Sequence, residues 1–235
     1  MAFQDIRKSL RMRLSPADIG FILAAIAFIV ALLALDIYLA RTLSGGEWLY
    51  LRWSGARAFL SEHIEPYGSV VAQRTQALAY GGRAAFLNEY PYALNDPFYI
   101  VLLYTPLALF SDFVIARGIW MLLSQAALIG IVLLSLNLSE WKPPFWLLGI
   151  LIGFGLFSYL SISALLSASP TIFLTLIYLA ILFALRSFSD ELAGALLFLV
   201  AYQWEVSLLF FLFVLVFVVM NRRWQVFVGF GVALI

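Results

Sequence analysis

The chain has 235 residues, 64% of them hydrophobic and 11% charged. A soluble domain carries roughly 45–50% apolar and about 25% charged residues, so this is the composition of an integral membrane protein. Lys and Arg number 14 against 13 Asp and Glu, a formal net charge of +1 that gives no sign of a nucleic-acid partner. The absence of cysteine excludes disulfides and thiolate metal sites. A single histidine, His63, argues against a histidine-built centre, so neither metal nor cofactor is expected.

In chain order, the basic stretch "MAFQDIRKSLRMRLSPAD" comes first, with Arg7, Lys8, Arg11 and Arg13 close to the apolar run "GFILAAIAFIVALLAL". No small-residue cleavage site follows, so the run is expected to be a retained first span, about residues 19–40. Basic residues flanking a span mark its cytoplasmic side, which places the N-terminus in the cytoplasm. Asp36, near the outer end of this span, is costly in lipid and so becomes a functional candidate. The alternative is a place at the interface.

A mostly polar segment, residues 41–96, follows and is expected outside the cytoplasm. Its stretch "SGGEWLYLRWSGARAFLSEHIEPYG" gathers many of the chain's scarce charges. On a helix from Glu47 to His63, successive residues turn by about 100°. Leu49, Trp53, Ala56 and Leu60 then form one stripe, and Glu47, Tyr50, Ser54, Arg57 and Ser61 another. That pattern predicts an amphipathic helix lying along the membrane surface, with its polar stripe facing either a cavity or bulk solvent.

"DPFYIVLLYTPLALFSD" is too short and proline-interrupted for an ordinary span, and reads as a kinked crossing or a re-entrant piece. "FVIARGIWMLLSQAALIGIVLLSLNL" is a span, with Arg117 read as its cytoplasmic start. "PPFWLLGILIGFGLFSYL" and "PTIFLTLIYLAILFALRSF" are further spans opened by proline, where proline is tolerated. The last long run, from Leu192 to Trp224, is either one helix or two broken near Gln203–Glu205, with Arg222 and Arg223 cytoplasmic. The chain stops inside the apolar "FVGFGVALI", as expected of a piece that continues past Ile235. The fold class expected is all-α: a polytopic transmembrane helical bundle, residues 1–235 as one domain, multi-pass, in the plasma membrane if the source is prokaryotic.

Three stretches carry a resemblance. They are "GGEWLYLRWSGARAFL" followed by "EPYG", "EYPYALNDPFYIVLLYTPLALFSD", and "IARGIWMLLSQAAL", together covering about residues 31–138. Their order resembles the GT-C superfamily of polyprenyl-phosphate-sugar-dependent glycosyltransferases, most like glycosyltransferase family 87. Where the family usually carries Asp this chain has Glu47, and where relatives tend to carry Gly-Gln and Lys-Pro it reads "SASPTIF" and "AYQWEVS". The resemblance implies an inverting transfer of a sugar, mannose being one candidate, from a polyprenyl-phosphate donor to a glycolipid, glycan or protein acceptor. It implies Glu47 as general base, taking the proton of the attacking hydroxyl.

Asp36 is the second candidate carboxylate. The lipid-phosphate leaving group needs positive charge or oriented donors, and a planar guanidinium binds two phosphate oxygens at once. Arg57 is therefore the candidate either for the phosphate or for holding Glu47 in place, with Tyr50 and Ser54 beside it on the polar stripe, and Arg52, further around the helix, ranked below it. Two other classes stay open. A transporter would spread ionisable residues through several spans, whereas here they concentrate in one loop. A noncatalytic scaffold would follow from the missing Gln and Lys motifs.

Overall fold

A computed structural model describes residues 15–234; the basic tail that sets the expected orientation lies outside them. The described residues form helices and connecting turns, with no strand. Helix α1, Pro16–Thr42, starts from a reciprocal cap in which Ser15 and Asp18 satisfy each other's backbone N–H, with Pro16 at the first helical position. Its apolar side chains, Phe21 and Phe28 among them, are exposed, while Asp36 is completely buried. Polar inside and apolar outside is the reverse of a water-soluble helix and suits a lipid surround. The end where α1 finishes is the upper end of the molecule.

Helix α2, Glu47–Arg57, continues into a π-helical turn at Ala58–Glu62 that closes on His63 in the left-handed region. Helix α3, Ser69–Ala79, packs beside it. The short helices α4, Phe98–Leu103, and α5, Thr105–Ala108, pack on α2 from another side, where the Trp53 indole donates to the Leu107 carbonyl at 3.1 Å.

At 1.5 Å per residue α4 and α5 together rise roughly 15 Å, half of a hydrocarbon core of roughly 30 Å. Both ends of this piece lie at the upper end: Asp96 before it pairs with Arg52, and Asp112 after it caps the helix that meets the top of α1. It therefore turns back to the end from which it started instead of running through to the lower end.

The two-sided pattern expected of α2 is corrected by this packing. Leu49, Trp53 and Ala56 are buried as expected, but so are Leu51, Arg52, Ser54 and Gly55. Leu60 is exposed because the π turn inserts a residue and rotates the stripe. The helix is enclosed on several faces and presents no continuous polar stripe to water.

Helix α6, Phe113–Leu138, runs antiparallel to α1, with Gly118 against Ile37 so closely that an added Cβ would meet Ile37 Cγ1 at 2.5 Å. Small residues permit such close helix approach in lipid. Helices α7, Phe145–Phe157, and α8, Tyr159–Leu166, are bent by 47°. The cause is Ser158, whose extended backbone breaks the ladder and whose hydroxyl caps the Ser161 N–H. Helix α9, Thr171–Arg186, returns to the lower end, where Arg186 donates to the last carbonyls of α6, Asn137 and Leu138, at 3.0 Å.

Three helical stretches are long and apolar enough to cross a membrane: Pro16–Thr42, Phe113–Leu138 and Asp190–Met220, or four with the bent α7–α8 pair. The 31 residues of the last are not one rod. Helix α10, Asp190–Val200, leads through a 3-10 turn, Ala201–Gln203, into α11, Trp204–Met220. The Ser207 hydroxyl donates to the Val200 carbonyl at 2.9 Å, and Arg223 is ion-paired with Asp190. A straight helix would separate Asp190 from Arg223 by about 50 Å, so the stretch is a hairpin turning at the upper end. Of the two alternatives open for this run, the broken one is found.

Helix α12, Gln225–Leu234, packs back onto α10 at a glycine crossing. A Cβ on Gly194 would overlap the Val226 carbonyl, and one on Gly229 the Glu191 carbonyl. Gly194→Ala should therefore force the two helices apart, at about 1–3 kcal/mol. Gly149→Ala, with nothing within 4 Å of the added carbon, should be neutral. Thermal unfolding of the two variants side by side checks this, and equal melting would remove the crossing as a stabilising contact.

Candidate active site

The Gly45–Gly46 pair positions Glu47. Both glycines have positive φ, 120° and 91°, which disfavours a side chain. A Cβ on Gly45 would stand 2.7 Å from the Leu166 carbonyl oxygen, and one on Gly46 2.9 Å from the Arg117 side chain. The backbone thus passes between the end of α8 and Arg117 before α2 begins. Glu47 is the first residue of α2, where a carboxylate complements the helix dipole. It is half-buried and makes no side-chain hydrogen bond or ion pair among the described residues. With Ser44, Tyr159, Ser163 and Ser167 it lines an open cleft of about 350 Å³ between the loop and α8.

Arg117 overturns its expected role. It is buried at the upper end, beside Glu47, so it shares one end with the first loop and cannot mark the opposite side from it. Its guanidinium donates to the carbonyls of Ala40 at 3.1 Å, Leu43 at 2.8 Å, Ser44 at 3.2 Å and Leu166 at 2.7 Å. Those carbonyls include the unsatisfied ends of α1 and α8, where a cation also meets the negative pole of each dipole. One side chain fastens two helix ends and the glycine loop together.

The other expected site residues do not assemble around Glu47. Arg57 lies ten residues further along, roughly 15 Å by helix rise, with its Nε 3.8 Å from Glu62 and its guanidinium over Trp53. Glu62 is shared with Arg74 at 2.7 Å. Tyr50 packs edge-on against Phe113, centroids 4.9 Å apart, and burial pushes its hydroxyl pKa up, against a lowering by Arg74. Ser54 is buried in the α2 packing.

Arg52 is buried, with Nε 2.8 Å and Nη2 3.2 Å from the two Asp96 oxygens and Nη1 3.0 Å from the Trp48 carbonyl. The Nε approach is at ion-pair distance but poorly aligned as a hydrogen bond. Burial alone would lower the Arg52 pKa, but Tyr104, Asp96 and Tyr202 outweigh it and the net shift is upward. Arg52 therefore ties α2 to the end of the loop rather than offering a free phosphate ligand. It borders a separate cavity of about 620 Å³, shared with Asn95, Tyr202, Gln203 and Glu205 at the hairpin turn.

Asp36 faces α6 and not the cleft. Its Oδ1 accepts from the Gln125 amide at 2.8 Å, while its Oδ2 and the Gln125 Oε1 are buried without a partner. Its position is that of an interhelical tie. Asp36→Asn preserves an oxygen for the Gln125 amide and should be tolerated, whereas Asp36→Ala strands that amide and should cost about 1–3 kcal/mol. Thermal melts of both variants, with the transfer assay in parallel, test this. Equal stability of the two would remove the tie, and loss of transfer alone in Asp36→Asn would restore a catalytic role.

Asp96, Gln125 and Arg117's carbonyl contacts were not foreseen. Arg117 carried a signal, a cation within an apolar run; Asp96 and Gln125 gave none beyond their residue types. Burial also raises the Tyr92 pKa, and the Glu47 carboxylate adds to it, which places Tyr92 within electrostatic reach of the cleft. No family model, curated protein or solved structure matches this chain.

Proposed function

We propose that the chain is a multi-pass membrane glycosyltransferase with its N-terminus in the cytoplasm and its upper end outside, using a polyprenyl-phosphate sugar as donor. The observation that carries this is the unpartnered Glu47 carboxylate, pinned by two glycines and Arg117 at the mouth of a cleft. In the reaction, the acceptor hydroxyl attacks the anomeric carbon as Glu47 takes its proton. The bond to the lipid phosphate breaks, and the polyprenyl phosphate leaves with the electron pair, inverting the anomeric centre. Tyr159 and Leu160 of α8 are exposed next to the cleft, so a prenyl chain can reach it from the hydrocarbon side. The order of the three resembling stretches supports the same reading.

A second reading, a noncatalytic scaffold, is favoured by one observation. The leaving phosphate needs positive charge, yet Arg117 is committed to four carbonyls, Arg52 to Asp96 and Arg57 to Glu62. The test is transfer of radiolabelled sugar from a panel of polyprenyl-phosphate donors by the complete protein in membranes. Label arriving in a lipid, glycan or protein fraction supports the transferase. No transfer from any donor leaves the scaffold.

A further inference from the structure

At the lower end, the end of α9, the hairpin and the start of α12 line an open cavity of about 710 Å³. Its charged lining is Arg186, Arg222 and Arg223 against Asp190 alone. Arg223 is fixed by Asp190 and by the Leu185 carbonyl at 2.5 Å, and Arg186 by the end of α6 and by an ion pair with Glu140, so Arg222 carries the uncompensated charge of the pocket. Arg222 is exposed and its side chain makes no hydrogen bond or ion pair among the described residues. Two guanidinia are held in place, and a third is free to close on a ligand.

The rest of the wall is apolar and aromatic. Phe188 is 84% exposed and Trp224 57%, both on the cavity. An amphipathic indole such as that of Trp224 sits at headgroup depth, with the apolar Phe188 ring beside it. Above them α11 turns Phe213, Val216 and Met220 outward, continuing the site into a hydrocarbon-facing surface. A basic pocket between helices, with aromatics at its rim and an apolar wall leading into the bilayer, matches a phosphodiester joined to acyl chains. Inorganic phosphate shares the anion but makes no use of the apolar wall.

We propose that this cavity binds the headgroup of an anionic phospholipid, with Arg222 as the closing cation and Phe188 and Trp224 against the glycerol backbone. The site lies at the opposite end from Glu47 and does not depend on the transfer reaction.

The test uses the full chain, purified in neutral detergent and titrated with phosphatidylglycerol or phosphatidylcholine of matched acyl chains. Bound lipid is counted by native mass spectrometry. The wild type should retain phosphatidylglycerol preferentially, and Arg222→Gln should weaken that preference about fivefold, the effect of one basic residue near a membrane surface. Arg222→Lys should keep most of it, and Arg83→Gln, on the upper loop, all of it. Equal retention of the two lipids, or an unchanged preference in Arg222→Gln, overturns the proposal. Displacement of phosphatidylglycerol by excess inorganic phosphate overturns it as well, by assigning the pocket to a free anion.

Discussion

Glu47→Gln, made in the complete protein, should lower sugar transfer by about 10²–10⁴ while leaving helix content unchanged and lowering melting only slightly. The amide keeps the size of the side chain and its place at the start of α2 but cannot accept the hydroxyl proton. Because Glu47 makes no side-chain hydrogen bond or ion pair among the described residues, only its interaction with the helix dipole is lost with its charge, about 0.3–1 kcal/mol. Glu62→Gln is the matched control: it removes a carboxylate from the same loop but only loosens a half-exposed pairing with Arg57 and Arg74, an effect of about 0–1 kcal/mol. Near-normal transfer by Glu47→Gln would falsify the base assignment.

The largest stability effect is expected at Arg117. Arg117→Met fills similar space but removes four charge-assisted hydrogen bonds and strands the carbonyls of Ala40, Leu43, Ser44 and Leu166. Each lost partner in a buried setting is costly, and the sum should reach about 3–5 kcal/mol. Arg117→Lys should recover only part of it, since one ammonium cannot serve four acceptors spread across two helix ends. Hydrogen exchange gives the sharper readout, with amides of the Gly45–Trp48 segment losing protection first. Unchanged exchange there in Arg117→Met would show that the loop is held by something else.

The helices were legible because long apolar runs bounded by proline and serine leave little choice in lipid. Pro16 and Ser15 mark the start of α1, and Asp112 that of α6. The hairpin at Ala201–Gln203 was not decided by the sequence. Hydropathy measures only the amount of apolar chain, while the reversal is set by Asp190 meeting Arg223 and Gly194 meeting α12. Of the residues expected to share a site, only Glu47 lines the cleft beside α8. A helical wheel groups Arg57 with Glu47 by angle but ignores the rise between them, and it assumes one exposed face for a helix that is enclosed on several. Arg117 was read as a topology marker because it is a cation near a span end, whereas four backbone acceptors make it a tie at the same end as the first loop.

The hairpin also has a consequence for biosynthesis. Asp190 emerges from the ribosome before Arg223, the partner that neutralises it 33 residues later, and Gly194 emerges before the α12 backbone that covers it. By length α10 rises roughly 16 Å, too little to hold a transmembrane position alone. The nascent chain therefore cannot commit α10 to the bilayer when it is made. The stretch Asp190–Leu234, about a fifth of the described residues, is therefore expected to insert as a unit, once α12 has followed α10 out of the ribosome.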